Sequence, residues 1–170
     1  MYQLHCTKKL LDRVKSPVLT TSEDSSALMG AWYATALFWK PQLALLVNER
    51  TLLPILMPLA PATDLGLRFP QYLSRILEAH GISLSFIEYE LLQMQQVQYA
   101  KTANRSVVGV MNQFVFLAER YRESGEADDP LALSLHLSET PCSPLYKSTI
   151  SPKSELRRLV GDWSMPNSSK

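Results

Sequence analysis

The chain has 170 residues, 46% of them hydrophobic, the size and composition of one ordinary domain with its own core, which excludes a disordered chain. Lys and Arg number 17 against 16 Asp and Glu, a net charge of +1, so no global field draws the molecule to nucleic acid or an anionic membrane. Two cysteines, Cys6 and Cys142, make no disulfide framework, although spacing alone does not exclude one bridge between them.

The opening "MYQLHCTKKLLDRVK" places its charges after apolar residues and holds no long apolar run, so it does not read as a signal peptide. "YQLHC" reads as a short strand, with Leu4 and Cys6 on one face and Gln3 and His5 on the other. "TKKLLDRV" predicts a short helix with Thr7 as N-cap, stopped by Pro17. Residues 20–30 are small and polar and are expected to form a loop.

Three strands are expected at about 32–39, 43–48 and 52–59, with turns at Lys40-Pro41 and Asn48-Glu49-Arg50. "LALLV" is apolar throughout, as in a strand covered on both faces. Pro54 and Pro58 put the third strand at an edge or make it irregular, because proline cannot donate to a ladder. The polar residues 48–50 and these prolines break the longest apolar stretch, so it cannot span a bilayer as a helix. A soluble cytoplasmic protein is the expectation.

"RFPQYLSRILEAHG" is the clearest helix, with Pro70 in its first turn and Gly81 at its end. "SFIEYELLQM" predicts a second helix with a Ser85–Glu88 capping box, and "QVQYAKT" alternates like a strand. A helix over 106–121 follows, apolar around most of its circumference and therefore expected in the core. "ESGEADDP" is a charged loop. "PLALSLHLSETPC" fits a strand or a short helix equally, and a last helix starts at Ser151-Pro152. Residues 1–163 are expected to form a single α+β domain, a mainly antiparallel sheet packed with helices, with 164–170 a flexible tail.

Two polar clusters carry the functional reading. Lys101, Thr102, Asn104, Arg105 and Ser106 crowd in front of the 106–121 helix, with Asn112 two turns in. Such residues either cap a helix or, with its free N–H groups, hold an anion. Gly109 would allow close approach of another element. His5, Cys6, Thr7, Lys8 and Lys9 form the second cluster, in which Cys6 is either a nucleophile activated by a lysine or a buried core thiol. His5, Cys6, His136 and Cys142 are possible zinc ligands, but neighbours on a strand face apart, and no metal site is expected. No cofactor motif is present: the chain has no Gly-rich phosphate loop, no G-x-S-x-G and no H-E-x-x-H. Trp32 and Trp39 flank a strand and either pack in the core or stack on a partner.

The chain resembles a family of bacterial proteins known only as a domain of unknown function. The resemblance rests on "HCTKKL" at His5–Leu10, Val47-Asn48 with Thr51, a "TKNRSxxGxMN"-like segment at Lys101–Asn112 followed by Phe114–Glu119, and "TPC" at Thr140–Cys142. Ala103 stands where the family pattern has lysine, which thins any basic patch. The resemblance implies that the two polar clusters form one site, but brings no activity, cofactor or partner.

The expectation is a binding protein for an anion: a phosphate-bearing small molecule, a nucleic-acid backbone or an acidic protein surface, not a membrane. Its site would comprise Lys8, Lys9, Lys101, Asn104, Arg105 and Asn112, with hydroxyls from Thr7, Thr102 and Ser106. The alternatives are an enzyme on phosphorylated substrates or nucleic acid using His5 or Cys6, and a protein-interaction module around Trp32 and Trp39.

Overall fold

The structure, a computed structural model, describes residues 1–20, 25–126 and 129–164. Five strands form one sheet: β1 (Tyr2–Cys6), β2 (Trp32–Leu37), β3 (Leu43–Asn48), β4 (Pro54–Pro58) and β5 (Val97–Lys101), in the order β4-β3-β2-β1-β5. β2, β3 and β4 form the expected antiparallel meander. β1 runs parallel to β2 and to β5, so the sheet is mixed. The parallel half was not legible in the sequence, because strand pairing across the 90 or so residues between β1 and β5 leaves no local pattern.

Helices cover both faces. On one side α1 (Lys8–Val14), α2 (Leu65–Ala79), α3 (Leu84–Gln93) and α6 (Pro152–Gly161) bury Leu10, Phe69, Leu73, Phe86 and Leu156 against Tyr2, Leu4, Cys6, Trp32 and Leu46. On the other, α4 (Arg105–Ser124) and α5 (Pro130–Leu137) bury Val107, Met111, Phe114, Leu133 and Leu137 against Tyr33, Leu45 and Val47. The result is an α+β fold in three layers. β3 is buried at every position, as its unbroken apolar run required. β4 is an edge strand, and its Leu56 N–H donates to the buried Ser134 hydroxyl of α5 at 2.9 Å.

Several local expectations are corrected. α2 begins at Leu65, so Pro70 lies inside it rather than in its first turn. Proline offers no N–H to the carbonyl four residues back, that of Gly66, and the Tyr2 hydroxyl donates to that carbonyl instead. The Tyr99 hydroxyl accepts from Gly66 N–H at 3.0 Å, so two tyrosines hold the first turn of α2 against the sheet. The N-cap of α3 is Ser83, not Ser85, and no capping-box bond forms. Residues 130–137 are a helix: Asp129 caps it through Ala132 N–H and Pro130 takes the first turn, two start signals that outweigh the leucine alternation. α4 buries one face only. Phe116 is 56% exposed, and Gly109 faces open space rather than a neighbour. The tail expected at 164–170 lies outside the described residues from 165 onward, as do residues 127–128 of the charged loop.

Candidate functional site

α4 crosses over β2 and β3, not over β1 and β5. On this side β1 and β5 carry Gln3, which is buried, and His5, Gln98 and Ala100, which are half-buried, and a trough opens above them. Its two lobes have volumes of ≈400 Å³ and ≈790 Å³ and share Gln3, His5 and Ala103. The first is walled by Val18, Leu19 and Thr20, whose backbone runs beside Tyr99, and by Lys101 and Thr102. The second is walled by Tyr33, Glu49, Arg50, Gly30 and Asn104.

The pleat explains the floor. Cys6 and Leu4 enter the core, so Gln3 and His5 must face the trough. The His5 ring stacks on Tyr33 with centroids 4.7 Å apart and planes 13° from parallel. His5 Nδ1 lies 2.9 Å from the Lys101 carbonyl oxygen, which can only accept, so this nitrogen carries the proton. Nε2, left as an acceptor, lies 3.3 Å from the end of the Gln3 amide, whose NH2 is then the group that faces it. The Tyr33 hydroxyl accepts from Asn104 N–H at 2.9 Å. One chain of contacts thus links β1, β2 and the 101–104 loop.

The carboxyl ends of β1 and β5 lie side by side, with Cys6 opposite Lys101. From there α1 departs to one face of the sheet and α4 to the other. Ligands of open α/β sheets favour this kind of divergence. The two polar clusters of the sequence therefore meet, but only in part. His5 joins Lys101, Thr102 and Asn104. Arg105 and Asn112 line a groove of ≈410 Å³ along α4, which shares Thr102 and Ala103 with the trough. Lys8 and Lys9 lie exposed on α1, away from these cavities, with Lys9 Nζ 5.8 Å from the centre of the Phe38 ring. Thr7 occupies the N-cap position of α1, but its hydroxyl pairs with that of Thr35 at 3.0 Å. Asn104 caps α4, accepting from the N–H groups of Ser106 and Val107. Half of the question posed by this cluster is thereby answered: the asparagine serves the helix.

Cys6 is 1% exposed on the opposite face, its Sγ 3.6 Å from the Leu4 carbonyl oxygen, and burial pushes its thiol up to about 12. A thiol so placed is not a nucleophile at neutral pH. Cys142 is likewise buried, its thiol pushed up to about 11 by burial. Trp32 is fully buried in the first core, whereas Trp39 is half-buried beneath the Arg122 guanidinium.

Sequence reading missed Gln3, Tyr33, Glu49, Arg50 and Gln98. The usable signal was the polar alternate face of two strands, Gln3 with His5 and Gln98 with Ala100. Tyr33, Glu49 and Arg50 needed the topology.

A protein-family comparison matches residues 3–155 to the family described as Domain of unknown function (DUF6933). The chain belongs to this family. No curated protein matches the chain. No solved structure matches it. Among the described residues no helix is long and apolar enough to cross a membrane.

Proposed function

We propose that the protein binds a small anionic molecule of phosphate type in the trough over β1 and β5. One observation carries this reading: the two lobes and the α4 groove meet at Ala103, and each contains a cation, Lys101, Arg50 and Arg105 respectively. Among the described residues Glu49 is the one acidic residue of the walls, against three cations. Arg50 spends Nη1 on the Leu28 carbonyl oxygen at 2.8 Å, which orients the guanidinium and, among the described residues, leaves its other N–H groups for a ligand. The His5–Tyr33 stack and Gln3 would read the polar body of the ligand. Lys8, Lys9 and Thr7 take no part in this reading.

Calorimetric titration with inorganic phosphate, nucleoside phosphates and oligonucleotides tests it. Arg50→Ala, Lys101→Ala and Arg105→Ala are exposed changes that leave the fold intact. Each is expected to weaken binding roughly tenfold or more, with further weakening by salt. Binding indifferent to all three variants and to salt would sink the reading.

A second reading, an enzyme with His5 as proton carrier, is favoured by one feature. The Lys101 carbonyl orients the imidazole as a general base is usually oriented. Turnover of a phosphorylated substrate that His5→Gln abolishes while binding persists would support it.

A further inference from the structure

A second cleft, unrelated to the trough, lies beyond the β4 edge, where the two helical layers meet. Its volume is ≈280 Å³, and the ends of α2 and α5 and the first turns of α6 enclose it. His80, the residue that ends α2, is 8% exposed. Its Nε2 is buried and has no hydrogen-bond partner among the described residues. A buried polar nitrogen without a partner is costly, so native structures rarely leave one unless something else fills the gap.

The surroundings favour negative charge. Lys153 and Arg157, four residues apart on α6, both line the cleft. Lys153 shares itself with Glu139 at 3.2 Å, in a bridge whose carboxylate is 62% exposed. Arg157 makes no ion pair among the described residues. Several carbonyl oxygens at the helix ends are already occupied. Ile76 and Leu77 accept from His80 and Ile82, and Ser138 accepts from Lys153. The cleft therefore presents two cations and an imidazole beside the Glu139 carboxylate. Burial and the two cations hold the His80 pKa below its usual value, and Glu139 opposes them more weakly.

We infer that this cleft binds a small oxyanion, a phosphate or carboxylate group, between His80 Nε2, Lys153 and Arg157. The anion would accept from the orphaned Nε2–H and neutralise the two cations. His136 and Glu139 complete the titratable groups facing it. Its size admits a small metabolite or the acidic end of a larger molecule.

Histidine side-chain NMR with inorganic sulfate as probe gives the test, because sulfate keeps its charge across the pH range used. The chain has 3 histidines: His5 reports the trough, and His80 and His136 report the cleft. Sulfate is expected to shift the His80 resonances in a saturable way. It should also raise the His80 pKa by about one unit, so sulfate binds roughly tenfold more tightly below that pKa than above it. Arg157→Ala, an exposed change, should abolish the shift without unfolding the protein. Unmoved His80 resonances in a folded protein, or the same response in Arg157→Ala, would overturn the inference. A response confined to His5 would overturn it too and leave the trough as the anion site.

Discussion

At the scale of single residues, Asn48 shows how a polar side chain serves a core. It is fully buried, and its Oδ1 accepts from Arg50 N–H, Thr51 N–H and the Thr51 hydroxyl, while its Nδ2 donates to the Met29 and Ala31 carbonyls. Asn48→Ala is expected to cost about 3 kcal/mol or more in urea unfolding, since several buried groups lose partners at once. The Val47-Asn48…Thr51 pattern is thus a fold device. Glu90 does similar work. Its carboxylate is fully buried and accepts from Leu28 and Met29 N–H, both at 2.7 Å. Burial raises its pKa despite these two bonds and the nearby Arg50 and N-terminal amine. The folded state therefore keeps a proton at pH values where the unfolded chain has released it. This term stabilises fully below about 4.5 and is lost as pH rises through the raised folded value. Glu90→Ala should remove that pH dependence and cost about 2–3 kcal/mol at neutral pH, through the two orphaned N–H groups.

At the scale of elements, contacts far apart in sequence decide where helices begin. The first turn of α2 sits so close to β5 that a Cβ on Gly66 would lie 2.7 Å from the Tyr99 hydroxyl and 2.8 Å from Val97 methyls. Gly66→Ala should therefore destabilise by about 1–3 kcal/mol, although alanine favours helices, and chemical denaturation would show the sign. α5 acts on the sheet in the same way. Ser134 gives the β4 edge the acceptor that a sixth strand would supply, so Ser134→Ala should cost about 1–3 kcal/mol. The α4 start was half legible. Its crowd of hydrogen-bonding residues marked a helix N-terminus, and Asn104 proves to be the cap. What lay beyond reach was Tyr33, whose hydroxyl holds the loop from 71 residues away.

At the scale of the whole molecule, the sheet is covered unevenly. α4 and α5 lie over β2, β3 and β4, which leaves β1 and β5 as the floor of an open trough. The two proposed sites sit at opposite edges of the sheet and should respond independently. Titration also acts at this scale. Burial, Lys153 and Arg157 lower the His80 pKa, so below about 6.5 the unfolded chain takes up a proton before the folded one does. This contribution is full above 6.5 and is lost as pH falls through the folded value. His80→Gln should flatten that part of the stability–pH curve, and saturating sulfate should flatten it in the unmodified protein.

The sequence by itself determined most of the elements, the face of β1 that enters the core and the burial of β3, and it narrowed β4 to an edge or irregular strand. These follow from local rules of period two, helical period and proline chemistry, which act over a few residues. Through the family resemblance it also suggested that the clusters at 5–9 and 101–112 form one site, of which the structure brings His5 to Lys101. Only the tertiary structure decided the parallel pairing of β1 with β5, the placement of Lys8 and Lys9 away from the trough, the burial of Cys6 behind the sheet, and the placement of Tyr33 and Arg50 in the trough walls. Each of these depends on which strand becomes whose neighbour, and that choice is made by burial of whole faces rather than by any short stretch of chain.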